Sequence, residues 1–258
     1  MKVLDATVLK QYKDVAATQP LVRAIVGHAS DTRNSGPIED FFGSVTPDDH
    51  AVDSKGILLA IADGLSGGAG RAAAESIVHS VLNDFYSTPP GMSPNGALNA
   101  VIAATNRWLY AHNSAARDDG GMLTTLSVLV LCARRFHLAH VGDTRVYLYR
   151  DGRMRKLTAD HVWRGKLGHR LLRRAVGLDA QVLVDFVDEE LATGDVFMML
   201  TDGVWEVLSE PELAEYLASG EDPQRVAEAL VEQAILRGGH MDPNDATAAV
   251  VRIDAAPR

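Results

Sequence analysis

The chain is predicted to fold as an α+β protein built in layers, with largely antiparallel strands and helices packed against them. Three observations predict this. Two helical patterns come early, short apolar runs broken by turn residues fill the middle, and two more helical patterns precede a closing apolar run. A sheet sandwich flanked by helices accounts for that order, and so does a simpler α+β layer.

The elements follow in chain order. Val3 to Thr18 has a weak pattern that suits a short helix. Ile57 to Ile61 is a continuous apolar run ending at Asp63-Gly64, which reads as a buried strand that delivers an aspartate at its C-terminal end. The tract SGGAGRAAAESIVHSVLNDFY then reads as a helix, with Ala72, Ile77, Val81 and Phe85 on its apolar face and Pro89-Pro90 as its stop. Asn95 to Ser114 repeats the pattern through Leu98, Val101, Ile102, Trp108 and Leu109. Strands are expected at Thr124 to Leu131, Phe136 to Val141 and Val146 to Arg150, with Asp151-Gly152 as a hairpin turn. Gln181 to Val187 and Val196 to Leu200 suit further strands. Helices are expected over Glu210 to Ala218 and Pro223 to Arg237, and a last strand over Ala246 to Ile253.

The whole sequence bounds the function. Its 258 residues fit one domain, 1–258, with 1–25 as an N-terminal extension. Hydrophobic residues make up 47% and charged residues 23%, enough apolar surface for a large core. A net charge of −9 argues against binding nucleic acid, whose phosphates attract basic surfaces. It leaves phosphorylated substrates open, because bound cations supply positive charge locally. Cys132 sits in the apolar run LSVLVLCA as a buried structural thiol, and a lone cysteine suits a reducing cytoplasm. The N-terminal MKVLDATVLKQYKD has no apolar core for a signal peptide, and no apolar run reaches membrane-spanning length.

Chemistry concentrates in one repeated local pattern: an apolar run, then aspartate, then a turn residue. It occurs at Asp63 (LLAIADGLSGG), Asp143 (LAHVGDTR) and Asp202 (FMMLTDGVW). Any one of these reads as an ordinary turn. All three in one chain, with Glu39-Asp40 and Asn244-Asp245 as well, suggest a carboxylate cluster, which needs cations to offset its repulsion. Oxygen ligands suit Mg²⁺ or Mn²⁺ rather than zinc.

The wording and order of these segments resemble the metal-dependent protein serine/threonine phosphatase family, type 2C (PPM). ADGLSGGAGRAAAE, MLTTLSVLVL, HVGDTRVYLYRDGRMRKLTADH, LTDGVWEVLSE and NDATAAVVRI fall in the family's order from about Ser30 to Ile253. EDFFGSVTP and NRWLYA further resemble the phosphatase halves of bacterial kinase–phosphatase fusions. The resemblance implies a four-layer α/β/β/α sandwich with two Mn²⁺ or Mg²⁺ ions at one edge. It also implies hydrolysis of phosphoserine or phosphothreonine by a water bridging the ions, which becomes acidic between two cations. Asp63 would bridge the ions, the Gly64 carbonyl would bind one and Asp202 the other. Asp40, with Glu39 beside it, would complete the early acidic motif, for which Asp48-Asp49 is an alternative. Asp143 would serve a weaker third ion.

Departures are equally specific. The family's closing aspartate is replaced by Asn244, whose carbonyl oxygen would bind metal without charge and so less tightly; a local shift would instead bring in Asp245 or Asp242, or the chain is a catalytically weak, phosphatase-shaped binding protein. Ile38 stands where the family has asparagine, and Arg33 is the candidate phosphate-binding arginine at a loose spacing. Leu65 replaces a histidine acid found in some members, leaving water or His161 to protonate the leaving oxygen; otherwise His161 is a structural histidine, like Asp160. Thr124-Thr125 are expected to hydrogen-bond beneath the site. The basic stretch Val162 to Arg174 matches the family's substrate flap, or is a solvated loop. The implied partner is a phosphorylated protein, the product of a bacterial Ser/Thr kinase, met by a monomeric cytoplasmic enzyme. A small phosphorylated metabolite would use the same site.

Overall fold

Every residue of Ile57–Ala62 is buried, although alternate side chains along a strand face opposite ways. Both faces must therefore be covered. In the computed structural model, which describes residues 22–32, 36–47, 55–65, 69–115, 121–164, 170–238 and 244–255, they are covered by a helical layer on one side and a second sheet on the other.

The strands are β1 (Arg23–Asp31), β2 (Phe41–Val45), β3 (Ile57–Ala62), β4 (Leu126–Cys132), β5 (Arg135–Val141) and β6 (Arg145–Arg150). They continue as β7 (Arg153–Lys156), β8 (Val162–Arg164), β9 (Arg170–Leu172), β10 (Asp185–Glu190), β11 (Val196–Leu200) and β12 (Ala246–Ala255). The helices are α1 (Gly70–Ser87), α2 (Pro94–Ala115), α3 (Asp202–Trp205), α4 (Glu210–Ala218) and α5 (Pro223–Gly238). The first sheet has the order β1-β12-β11-β6-β7 and the second the order β10-β5-β4-β3-β2. Neighbouring strands are antiparallel throughout both. β8 and β9 form a separate hairpin.

Three apolar cores separate the four layers. Leu58, Ala60, Val128 and Val130 face Ala73, Ile77, Val81 and Leu98 of α1 and α2. Ile57, Leu59, Ile61, Leu129 and Leu131 meet Phe197, Met199, Ala249 and Val251 between the sheets. Met198, Leu200 and Val250 pack on Val204, Leu213, Leu230 and Ala234 of α3 to α5. The four-layer sandwich is the expected architecture, and antiparallel pairing holds also between strands joined through helices, β3 with β4 and β11 with β12.

Some local expectations shift. On α1 the buried stripe runs through Ala73, Ala74, Ile77, Val78, Val81 and Phe85, so Ala72 faces solvent. Trp108 lies on the outer face of α2 at 53% exposure, stacked on His112 rather than in the core. The strand expected from Gln181 starts instead at Asp185, and Thr124 makes only isolated bridges, to Gly64 and Val176. Val3 to Thr18 lies outside the described residues.

Candidate metal centre

The two sheets end together along one rim, and the acidic residues lie there. Asp63 follows the last residue of β3, and Asp202 opens α3 just past β11. Asp40 precedes β2, Asp245 precedes β12, and Asp143 sits in the turn from β5 to β6. Antiparallel register brings these ends to the same side: Phe41 lies opposite Ala62, Ile61 opposite Ser127, Leu126 opposite Val141 and Leu200 opposite Ala248.

Asp63 is the electrostatic centre of the group. Burial raises its carboxyl well above the usual carboxylate range, and Asp202, Asp40, Asp143 and Asp245 push it further the same way. Burial also raises Asp40 well above that range; hydroxyls of Thr201 and Thr247 oppose the rise, and Asp202 and Asp245 add to it.

Hydrogen bonds to the surrounding strands fix these carboxylates. Thr201 Oγ1 donates to Asp40 Oδ2 at 2.7 Å while accepting the Thr247 N–H at 2.9 Å. A residue leading into the second sheet is thereby fastened to the first. Asp245 Oδ2 accepts the Glu39 N–H at 2.6 Å, a second tie across the same gap. The Asp63 N–H donates to Thr125 Oγ1 at 2.9 Å, and its carbonyl accepts Thr124 Oγ1 at 2.8 Å and the Thr125 N–H at 2.9 Å. Both threonines therefore bond directly beneath the site. At Gly64 a Cβ would stand 2.3 Å from the Gly70 carbonyl carbon and 2.8 Å from the Glu39 carbonyl oxygen, so only glycine fits.

The donor chemistry fits hard divalent cations. Buried like charges are costly without a counter-charge, and the ring is made of oxygens alone. Among the described residues no three His, Cys, Asp or Glu groups close on one point as a ready cage. Carboxylate oxygens suit Mg²⁺ or Mn²⁺, which take one or two carboxylates each and keep several waters.

Of the expected residues, the structure brings together Asp40, Asp63, Asp143, Asp202 and Asp245, with Glu39 contributing its main-chain N–H. Asn244 directly precedes Asp245 in the chain, and the carboxylate acting on Asp40 and Asp63 is that of Asp245. Arg33, Asp48, Asp49 and Asp242 lie outside the described residues. His161 does not stand free as a proton donor: its Nδ1 accepts the Gly142 N–H at 3.1 Å and its Nε2 bonds Asp185 Oδ2 at 2.8 Å. Asp160 binds Arg145 through both carboxylate oxygens, a structural pair.

Sequence reasoning missed Thr201, Thr247 and His140. The two threonines carry a weak signal, each within two residues of a site aspartate. His140 carries none, being a polar residue inside an apolar strand. Burial and then the His161 ring lower its pKa to about 4, and it bonds Ser127 Oγ through Nδ1 at 2.9 Å. Ser127 in turn meets Thr144 Oγ1 at 2.8 Å, beside Asp143.

Comparison with known proteins agrees with this fold. The family model described as Stage II sporulation protein E (SpoIIE) matches residues 53–254. Serine/threonine protein phosphatase PstP of Mycobacterium tuberculosis is 29% identical over 210 residues, 76% of this chain and 40% of that protein. The chain thus spans less than half the length of that relative. Serine/threonine phosphatase stp of Listeria innocua is 27% identical over 205 residues, 70% of this chain and 80% of that one. Among solved structures, the PstP catalytic domain in complex with two manganese ions superposes with a TM-score of 0.72 at 26% identity, covering 92% of this chain and all, 100%, of that one. PppA of Pseudomonas aeruginosa superposes with a TM-score of 0.75 at 25% identity over 91% of this chain and 99% of its own.

Proposed function

The chain belongs to the SpoIIE family of type 2C protein phosphatases, and from that premise we propose that it hydrolyses phosphoserine and phosphothreonine esters in proteins. The observation that carries the reading is the cluster of rim aspartates around Asp63: Asp202, Asp40, Asp143 and Asp245 each raise its carboxyl, and Asp202 and Asp245 also raise Asp40. Two bound Mn²⁺ or Mg²⁺ ions would supply the activated water and neutralise the phosphoryl oxygens.

The protein's part is to hold and orient. Asp63 would bridge the ions, with the Gly64 carbonyl binding one of them. Asp202 and Asp245 would hold one ion from the first sheet; Thr201 keeps Asp40 aimed at the centre. Asp143 would serve a third ion. Asp245 takes over the charge that Asn244 lacks, which favours an active enzyme over a phosphatase-shaped binding protein.

The β8–β9 hairpin supports a protein substrate. Trp163 and Leu171 are cross-strand partners, 62% and 68% exposed, and the Arg173 guanidinium lies 5.5 Å from the Trp163 ring. An apolar pair with a cation beside it suits a peptide more than a small metabolite. We place the enzyme in the cytoplasm as a monomer that reverses a serine/threonine kinase. Among the described residues no helix is long and apolar enough to cross a membrane.

Phosphate release from phosphoserine and phosphothreonine peptides with Mn²⁺ tests the proposal. These peptides should turn over faster than small phosphorylated metabolites; the reverse order would sink the protein-substrate reading. Trp163→Ala should lower kcat/KM for a phosphopeptide about fivefold relative to p-nitrophenyl phosphate, about 1 kcal/mol for an exposed aromatic contact. An unchanged ratio would remove the hairpin from substrate recognition.

A further inference from the structure

His161 is 2% exposed and engaged on every polar atom. Its N–H donates to the Gly142 carbonyl at 2.7 Å and its own carbonyl accepts the Arg173 N–H at 2.7 Å. Nδ1 accepts the Gly142 N–H at 3.1 Å, so the ring proton sits on Nε2, facing Asp185 Oδ2 at 2.8 Å. Asp185 Oδ1 is held by Arg174 Nη1 at 2.7 Å. Both main-chain polar groups of Gly142 are thus gripped by one residue.

Gly142 is where that grip matters. Its φ of +108° is a glycine conformation, and a Cβ on it would lie 2.6 Å from Thr125 Cβ. On one side it leads directly into Asp143. On the other it faces Thr125, whose hydroxyl accepts the Asp63 N–H at 2.9 Å. A shift of Gly142 therefore moves the Asp143 turn and the threonine beneath Asp63 together.

We infer that His161 is a positioning residue: acting through Gly142 and tethered by Asp185, it sets the placement of Asp143 and Asp63. The inference rests on the reading of those aspartates as a metal centre. Outer-layer partners of metal ligands commonly change metal affinity or activity about 10- to 100-fold when removed. The Nδ1 contact carries the role, because it alone restrains the Gly142 N–H. The Nε2 contact only orients the ring.

Two amide variants separate these contacts. In His161→Asn the side-chain oxygen falls near the Nδ1 position and can accept the Gly142 N–H. In His161→Gln the amide falls near Nε2 and leaves that N–H without its partner. Mn²⁺ binding to the full chain, measured by titration calorimetry, should weaken about tenfold or more in His161→Gln and stay within about threefold of the parent in His161→Asn. The Mn²⁺ concentration for half-maximal hydrolysis of p-nitrophenyl phosphate should rise in the same order, with KM at saturating Mn²⁺ unchanged. Equal Mn²⁺ affinity in the two variants would overturn the inference. So would loss of the cooperative thermal transition in both, which would make His161 a part of the scaffold alone. A parent chain that binds no Mn²⁺ would instead sink the metal-centre reading beneath it.

Discussion

Asp63→Asn is expected to lower Mn²⁺-dependent hydrolysis of p-nitrophenyl phosphate by about 10³-fold, since it removes the charge at the centre of the cluster. The same substitution should stabilise the metal-free protein. Burial, followed by Asp202 and Asp40, holds the Asp63 carboxyl above its ordinary range in the fold, whereas in the unfolded chain it titrates near about 3.9. Proton binding at Asp63 therefore contributes stability fully below about pH 3.9, and that contribution is lost as pH rises through the higher folded value. With EDTA, the parent should fall behind Asp63→Asn in melting temperature as pH rises over this window, by roughly 3 °C or more at neutral pH. Mn²⁺ should reverse the order, because only the parent offers a carboxylate at that place. Differential scanning fluorimetry across pH, with and without Mn²⁺, checks both signs. A parent more stable than the variant in EDTA at neutral pH would contradict a repulsive cluster.

Gly203→Ala is the second large effect. A Cβ there would sit 2.1 Å from the Asp245 carbonyl oxygen and 3.3 Å from the Ala246 nitrogen. That oxygen belongs to main chain held by the β11–β12 pairing and by the Thr201–Thr247 bonds, so it cannot swing away as a side chain would. α3 must separate from the start of β12 by about 1 Å, carrying Asp202 away from Asp245. The expected cost is about 3 kcal/mol of stability and about 10²-fold in turnover, the scale of an ångström's misplacement at a reacting centre. Gly36→Ala is the control, since nothing lies within 4 Å of its added Cβ; its stability should stay within about 0.5 kcal/mol of the parent. Urea unfolding and p-nitrophenyl phosphate kinetics on both variants check this.

How much of this was legible in the sequence depended on burial. β3, β4, β11 and β12 are covered on both faces, so β3 and β11 show as unbroken apolar runs, and β4 and β12 as apolar runs interrupted by Ser127 and by Thr247, Arg252 and Asp254. β1, β2 and β10 lie at or near sheet edges, where half-exposed residues such as those of DFVDEE leave no apolar signature. The same division runs through the site. Asp63, Asp143 and Asp202 were visible because each ends a buried strand, so an apolar run points to it. The Thr201–Asp40 bond was not visible: its partners are 161 residues apart, and only the meeting of the two sheets brings them together. Asn244 and Asp245 could not be ranked from spacing, whereas the register of β12 places Asp245 against Glu39.

The most direct test of the metallophosphatase account is hydrolysis of p-nitrophenyl phosphate by the parent and Asp202→Asn, each with Mn²⁺, Mg²⁺ or EDTA. The account predicts turnover by the parent that needs Mn²⁺ or Mg²⁺, stops with EDTA and falls about 10²-fold or more in the variant. Turnover that persists in EDTA, or a folded parent that binds Mn²⁺ and still releases no p-nitrophenol, would contradict it.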